Sequence, residues 1–299
     1  MNDAPLFPGF ESRRIATDDA VQIHTLIGGN GPPLLLLHGH PQTHAIWHKV
    51  APALAERFTL VLADLRGYGD SSKPAGTARH ENYSKPVMAN DMLQVMRTLG
   101  HARFRVLAHD RGARVAHRLA ADHADAVERM VLLDIAPTLA MYEQTTELFA
   151  RLYWHWFFLI QPAPLPERLI EADSAAYVHE LMGRRHGGLA PFDPRALAEY
   201  LRCIALPGAA HGMCEDYRAS AGIDLEHDRE DRTAGRRVES PLLVLWGEHG
   251  VVHHCFRALA EWQRVANEVR GEALPCGHYI PEEAPEALLQ HAMPFLTAS

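Results

Sequence analysis

Five short runs dominated by apolar residues constrain this chain most: PLLLL (Pro33–Leu37), TLVLA (Thr59–Ala63), FRVLA (Phe104–Ala108), MVLL (Met130–Leu133) and PLLVLW (Pro241–Trp246). Each is four to six residues long and bounded by turn-forming or polar residues. Runs of this kind do not alternate polar with apolar, so they fit strands covered on both faces, as in a parallel sheet. Helical patterns follow three of them, at Trp47–Arg57, Tyr83–Gly100 and Arg111–His123, with Gly100 as a helix stop. A further strand is expected to end near Pro275, with a terminal helix over Pro281–Leu296. Alternating strand and helix predicts an α/β fold with a mostly parallel, doubly wound sheet.

The alternation stops between Pro137 and Val238. MYEQTTELFARLYWHWFFLI predicts one long helix ended by QPAPLP, because proline cannot continue it. FDPRALAEYLRC predicts another, with Asp193 as N-cap and Pro194 in the first turn. Residues 138–238 are therefore expected to form a helical cap domain, and residues 1–137 and 239–299 the core domain. An insert between two strands would sit over their C-terminal ends, where open α/β sheets bind ligands.

The bulk composition excludes several classes. The 299 residues carry a formal net charge of −8, which argues against nucleic acid or an anionic membrane as partner. No apolar run approaches the roughly 18 residues of a membrane span, and the N-terminus lacks a signal pattern. The four cysteines form no C-x-x-C pair and no zinc-like cluster. Reduced thiols, a cytoplasmic location and no metal are expected.

LAHDRGARVAH (107–117) has the strand–turn–helix context of a nucleophile elbow, with Asp110 at its centre and small residues two places either side. Asp110 is equally suited to capping the helix. Other segments favour the catalytic reading. His38-Gly39 ends the first apolar run, where such folds place the second oxyanion amide; the expected donors are the backbone N–H groups of His40 and Arg111. PCGHYIPEEAP sets His278 in a loop after the last strand. Two acids compete to orient it. Asp134 follows MVLL, and Glu248 lies in GEHGVV, where Gly250 stands at a position often held by Asp. Asp134 is preferred, at the junction of strand and insert.

With Asp110, Asp134 and His278 placed, the chain resembles the α/β-hydrolase superfamily, and within it the fluoroacetate dehalogenases. The resemblance runs nearly the whole length, through HGHPQTHAIWHKVAP, ADLRGYGDS, HDRGARVAHRLA, LLDIAPT, YWHWFFLIQPAPLPERLI, MCEDYRA and GHYIPEEAPE. It implies Asp110 as nucleophile, with His278 and Asp134 activating water. It implies Arg111 and Arg114 as a clamp for the substrate carboxylate, and His155, Trp156 and Tyr217 as halide donors. Read alone, the aromatic residues of this helix would be core packing. The family resemblance favours a homodimer, a small haloacid as substrate, and no cofactor. His40 and Arg66 depart from residues common among relatives.

The chemistry fits these residue types. Displacement at an sp³ carbon by serine would leave an ether, whereas a carboxylate leaves an ester that water can cleave. Asp, with an ordinary pKa of about 3.9, needs no base to ionise. Cations in the first turn of a helix oppose its dipole, so Arg111 and Arg114 call for another explanation, and a planar guanidinium suits an anionic ligand. An epoxide hydrolase would use the same Asp with cap tyrosines, Tyr217 and either Tyr153 or Tyr177, and would not need the arginines. A haloalkane dehalogenase would usually carry Trp at Arg111. A non-catalytic carboxylate-binding protein on this scaffold would not need the triad.

Overall fold

The computed structural model describes residues 6–17 and 21–298. The first five residues of the expected core segment, residues 18–20 and residue 299 lie outside the described residues. Eight strands form one sheet: β1 (Glu11–Ala16), β2 (Gln22–Gly29), β3 (Pro33–Leu37), β4 (Thr59–Ala63), β5 (Phe104–His109), β6 (Val127–Leu133), β7 (Leu242–Gly247) and β8 (Val269–Leu274). Their order is β1-β2-β4-β3-β5-β6-β7-β8. From β4 to β8 every pairing is parallel; β1–β2 and β2–β4 are antiparallel.

The apolar runs explain the centre of this sheet. Successive side chains of a strand point to opposite faces. Leu35 and Leu37 of β3 join the core on one face, with Val106 and Ala108 of β5. Leu34, Leu36 and Leu107 join the core on the other. Burying each such leucine contributes about 1.5–3 kcal/mol. β1 and β2 escaped the sequence reading for a physical reason. β1 reads ESRRIA, and as an edge strand it leaves most of its side chains in water, so it carries none of the apolar signal of a central strand.

Helices flank the sheet: α1 (Ala51–Ala55), α2 (Lys85–Thr98) and α3 (Asp110–Asp122) lie in the first half of the chain. Eight more fill the interval between β6 and β7. They are α4 (Thr138–Glu143), α5 (Glu147–Leu152), α6 (Trp154–Leu159), α7 (Leu165–Ala172), α8 (Ser174–Gly183), α9 (Pro194–Ile204), α10 (Ala209–Ala221) and α11 (Ile223–Ala234). Then come α12 (Val251–Cys255), α13 (Ala258–Val265), α14 (Ile280–Glu283) and α15 (Pro285–Thr297). Among the described residues, no helix is long and apolar enough to cross a membrane.

The single long helix expected before QPAPLP is instead three short ones, α4 to α6. The Thr146 side chain accepts the N–H of Phe149 and starts α5 afresh. Tyr153 leaves helical geometry at φ −109° and ψ 38°, so α6 begins in a new direction. The break buries His155 and Trp156 while Trp154 stays exposed. α9 starts as its sequence predicts, with the Asp193 carboxylate accepting the N–H of Arg195 at 2.8 Å.

The strand order reverses at β3 and β5, since β4 lies beyond β3 while the later strands lie beyond β5. The loops after these two strands therefore open beside one another, the arrangement that makes a ligand crevice. Gly112 sets how closely α3 approaches β3. Its N–H donates to the His38 carbonyl at 2.8 Å. A Cβ there would meet that carbonyl oxygen at 2.5 Å and Leu37 Cβ at 2.6 Å. Gly112→Ala should push the helix off the strand, destabilise the fold by about 1–3 kcal/mol and lower the thermal midpoint followed by circular dichroism. An unchanged midpoint would show that the helix can shift at no cost.

Candidate active site

Asp110 follows β5 directly and opens α3. Its φ is +43°, left-handed backbone that Asp tolerates better than most residues. The sharp turn brings its carboxylate against the loop after β3, where His40 N–H donates to Asp110 Oδ2 at 3.0 Å. Gly39 permits this approach, since a Cβ there would lie 2.5 Å from Asp110 Cβ. The loop is braced by His38, whose Nδ1 donates to the Gly39 carbonyl at 2.9 Å while its Nε2 accepts Leu65 N–H at 3.1 Å. Burial raises the Asp110 carboxyl, but nearby His278, His109, Arg111 and Arg114 outweigh burial and hold its pKa at about 2.

His278 Nδ1 lies 2.5 Å from Asp134 Oδ2, and Asp134 Oδ1 accepts Gly247 N–H at 2.9 Å. Asp134 also has left-handed backbone, φ +51°. Glu248, the other acid considered, is partly exposed and lies 3.3 Å from His249. Gly250 explains why one acid position excludes the other: a Cβ there would meet Asp134 Oδ1 at 3.2 Å. A side chain at 250 would crowd the carboxylate already in place. The carbonyl of His278 accepts from His109 Nε2 at 2.9 Å, which anchors its loop to the strand end.

The two arginines are buried, and their contacts change the clamp expected of them. The Arg111 Nε and Nη2 both donate to Asp216, at 2.7 Å each, and Nη2 also reaches Ser220 Oγ at 2.6 Å. Its fork is thus occupied by a protein carboxylate, which also pairs with Lys85. Arg114 gives Nη1 to the Ala136 carbonyl and Thr138 Oγ1, and Nη2 faces Met141 Sδ. Each guanidinium keeps one buried nitrogen with no partner among the described residues: Nη1 of Arg111 and Nε of Arg114. A clamp built here would use one donor from each arginine rather than a fork from either. The rest of each group fixes its position.

His155 and Trp156 of α6 come together with Tyr217 of α10. The His155 and Tyr217 ring centroids are 6.0 Å apart, and those of Trp156 and Tyr217 are 6.2 Å apart. His155 Nδ1, Trp156 Nε1 and the Tyr217 hydroxyl are all buried without a partner among the described residues. Buried polar atoms are normally satisfied, so these three are available to a polar ligand or to water. His155 is held neutral, its pKa well below the ordinary value, by burial and then by Arg185 and other nearby cations. His40 stacks on His155 at 5.9 Å and bonds the Tyr177 hydroxyl through Nε2 at 2.9 Å. Trp156 also receives Arg114, 4.7 Å over its ring. Arg66, the other departure from relatives, pairs with Asp91 of α2 and stabilises a loop.

Sequence reasoning missed Asp216, Lys85, His109 and Arg185. Only Asp216 left a signal: a buried arginine beside Asp110 demands a counter-charge. His24, His44 and Asp64 bring metal-ligand atoms together. Both imidazoles already hydrogen-bond Asp64 at 2.9 Å, however, and Ser12 lies 3.0 Å from His24 Nε2. This group braces the loop after β4.

The sequence profile of the α/β hydrolase fold matches residues 32–285. A fluoroacetate dehalogenase from Burkholderia sp is 46% identical over 98% of this chain and 95% of its own. The chain belongs to the fluoroacetate dehalogenase family of α/β hydrolases. A soluble epoxide hydrolase from Corynebacterium sp. (strain C12) is 33% identical, over 92% of this chain and 93% of its own. The crystal structure of an α/β hydrolase-fold protein from Nostoc sp PCC 7120 superposes with a TM-score of 0.92 at 52% identity, covering 97% of this chain and 99% of that one. Family membership supports hydrolase chemistry for this dehalogenase-family chain.

The Arg111–Asp216 pair generates a stability prediction. Asp216→Asn should leave Arg111 and Lys85 buried without their shared counter-charge. The expected loss is about 3–5 kcal/mol at pH 7, measured by urea unfolding. Asp216 is held well below the usual carboxylate range: burial raises it, and Arg111 and Lys85 outweigh that. The wild-type advantage is therefore present above the unfolded carboxyl pKa and fades as pH falls through the folded one. An equally stable variant at pH 7 would remove Asp216 from this role.

Proposed function

We propose that this chain hydrolyses haloacetates, with fluoroacetate favoured, to glycolate and halide through an ester on Asp110. The observation that carries the reading is the set of buried donors without partners among the described residues, gathered where Arg111 lies over Tyr217 and Arg114 over Trp156, next to the ionised Asp110. Arg111 Nη1 and Arg114 Nε are set to receive a carboxylate; His155, Trp156 and Tyr217 are set to receive a halide. The identity to the Burkholderia sp fluoroacetate dehalogenase supports it.

An Asp110 oxygen attacks the α-carbon, and the carbon–halogen bond breaks with its electron pair leaving on the halide. Fluoride is a strong hydrogen-bond acceptor, so converging donors lower the barrier to its departure. His278, oriented by Asp134, then takes a proton from water, and the hydroxide attacks the Asp110 carbonyl carbon. The backbone N–H groups of His40 and Arg111 stabilise the tetrahedral oxyanion. Its collapse breaks the ester C–O bond and expels glycolate, whose hydroxyl oxygen takes the proton held by His278; the proton that the attacking hydroxide brought to the Asp110 carboxyl passes to solvent, which restores the carboxylate.

Epoxide hydrolysis is the second reading, favoured by the Corynebacterium sp. (strain C12) relative. It needs two tyrosine hydroxyls free to donate. Tyr217 has one. Tyr177 bonds His40, and the Tyr153 hydroxyl lies 3.3 Å from His278 Nδ1. The pairing leaves the dehalogenase reading better supported.

Purified protein should release fluoride from fluoroacetate well beyond one equivalent per chain, read by electrode, and Asp110→Asn should lower the rate at least about a thousandfold. A folded wild type that releases none overturns the fluoroacetate assignment. His278→Asn should stop after one equivalent of fluoride per chain, before glycolate is released, with the mass of a carboxymethyl group added at Asp110 in a peptide digest. Label on any other residue would defeat the ester mechanism. Because Asp110 is ionised down to about pH 2, the single-turnover alkylation rate should be level from about pH 8 to about pH 5. A decline centred in that range would contradict a carboxylate held at so low a pKa.

A further inference from the structure

The opening above His278 carries charge that the proposed reaction does not use. A cavity of about 270 Å³ lies there, between the cap and the core. Its lining includes Arg151, Arg184, Arg185, His186, His249 and His254, and no aspartate or glutamate. That is notable in a chain whose net charge is −8.

These cations are not equivalent. Arg151 pairs with Glu147 and Arg184 with Glu180, all four side chains being mostly exposed. His249 has Glu248 at 3.3 Å. Such pairs are screened by water and salt and project little field. Arg185 has no ion pair among the described residues, and its Nε is buried without a hydrogen-bond partner. Its guanidinium lies 4.5 Å over the Tyr153 ring. The same ring also neighbours His155, at 5.0 Å between centroids, and His278, at 6.1 Å, together with Phe149 and Trp156. Arg185 therefore stands one aromatic ring outside the reacting groups. Its charge also reaches inward: after burial, it is the leading cause that keeps His155 neutral.

We propose that Arg185 forms an outer subsite for a small monocarboxylate. The incoming haloacetate meets this guanidinium first and then moves inward to Arg111 Nη1 and Arg114 Nε; glycolate leaves by the same contact. A guanidinium with a tyrosine beside it and no carboxylate in ion-pair contact among the described residues is suited to transient binding, because no protein carboxylate has to be displaced. The inference rests on the reading that the substrate is an anion.

The test compares the wild type with Arg185→Gln and Arg185→Lys, whose folding is checked by thermal melts. Two quantities are measured: kcat and KM for fluoroacetate across ionic strength, and glycolate affinity by calorimetry. Arg185→Gln should lower kcat/KM about tenfold or more through KM, and flatten its decline with salt. Arg185→Lys should recover most of the affinity, and glycolate binding should follow the same order. An unchanged KM and salt slope in Arg185→Gln overturns the proposal. So does a loss confined to kcat that Lys does not rescue, which would make Arg185 a packing partner of Tyr153. If the folded wild type releases no fluoride, the substrate reading fails separately. The subsite is then decided by glycolate: affinity that depends on Arg185 supports it, and affinity equal in Arg185→Gln overturns it.

Discussion

An ionised carboxylate buried at the end of β5 is the constraint to which the rest of this molecule answers. Removing a charge from water is unfavourable by several kcal/mol unless other charges and donors compensate. Asp110 receives a backbone N–H from His40, and Arg111 and Arg114 lie within its field. Those arginines, buried in turn, need partners of their own. Asp216 holds Arg111, and Lys85 beside Asp216 closes the series. Among the helices between β6 and β7, α10 carries Asp216, Tyr217 and Ser220, so this interval takes part in the electrostatics as well as the packing. α3 and α10 are joined at this point by charge as well as by packing.

Much of the architecture was legible because central parallel strands have an unambiguous signature. PLLLL, TLVLA and MVLL leave few alternatives to a strand buried on both faces. β1, with Glu11, Arg13 and Arg14 on an edge, has no such signature and is defined by its antiparallel pairing with β2. The broken cap helix was illegible for a different reason. The local residues all favour helix, and the interruption at Tyr153 is set by packing against His278 and Arg185, both distant in sequence.

The site divides along the same line. Motifs and chain order point to Asp110, Asp134 and His278, and the fold brings the last two into contact. The arginines were visible as residue types, whereas the use of their nitrogens was not. Asp216 lies 105 positions from Arg111, and nothing local says that it takes the guanidinium fork. Which atoms stay available to a ligand is a property of tertiary contacts. It is also the property that separates a carboxylate clamp from an ordinary salt bridge.

The left-handed backbone at Asp110 and Asp134 carries an evolutionary consequence. Each position stores strain of about 1–2 kcal/mol that glycine would relieve, and asparagine tolerates the conformation while removing the buried charge. A population selected for thermal robustness alone would drift towards those residues at both positions. Aspartate at two strained corners of one cavity is therefore accounted for by the charge it supplies there, not by the backbone it accepts.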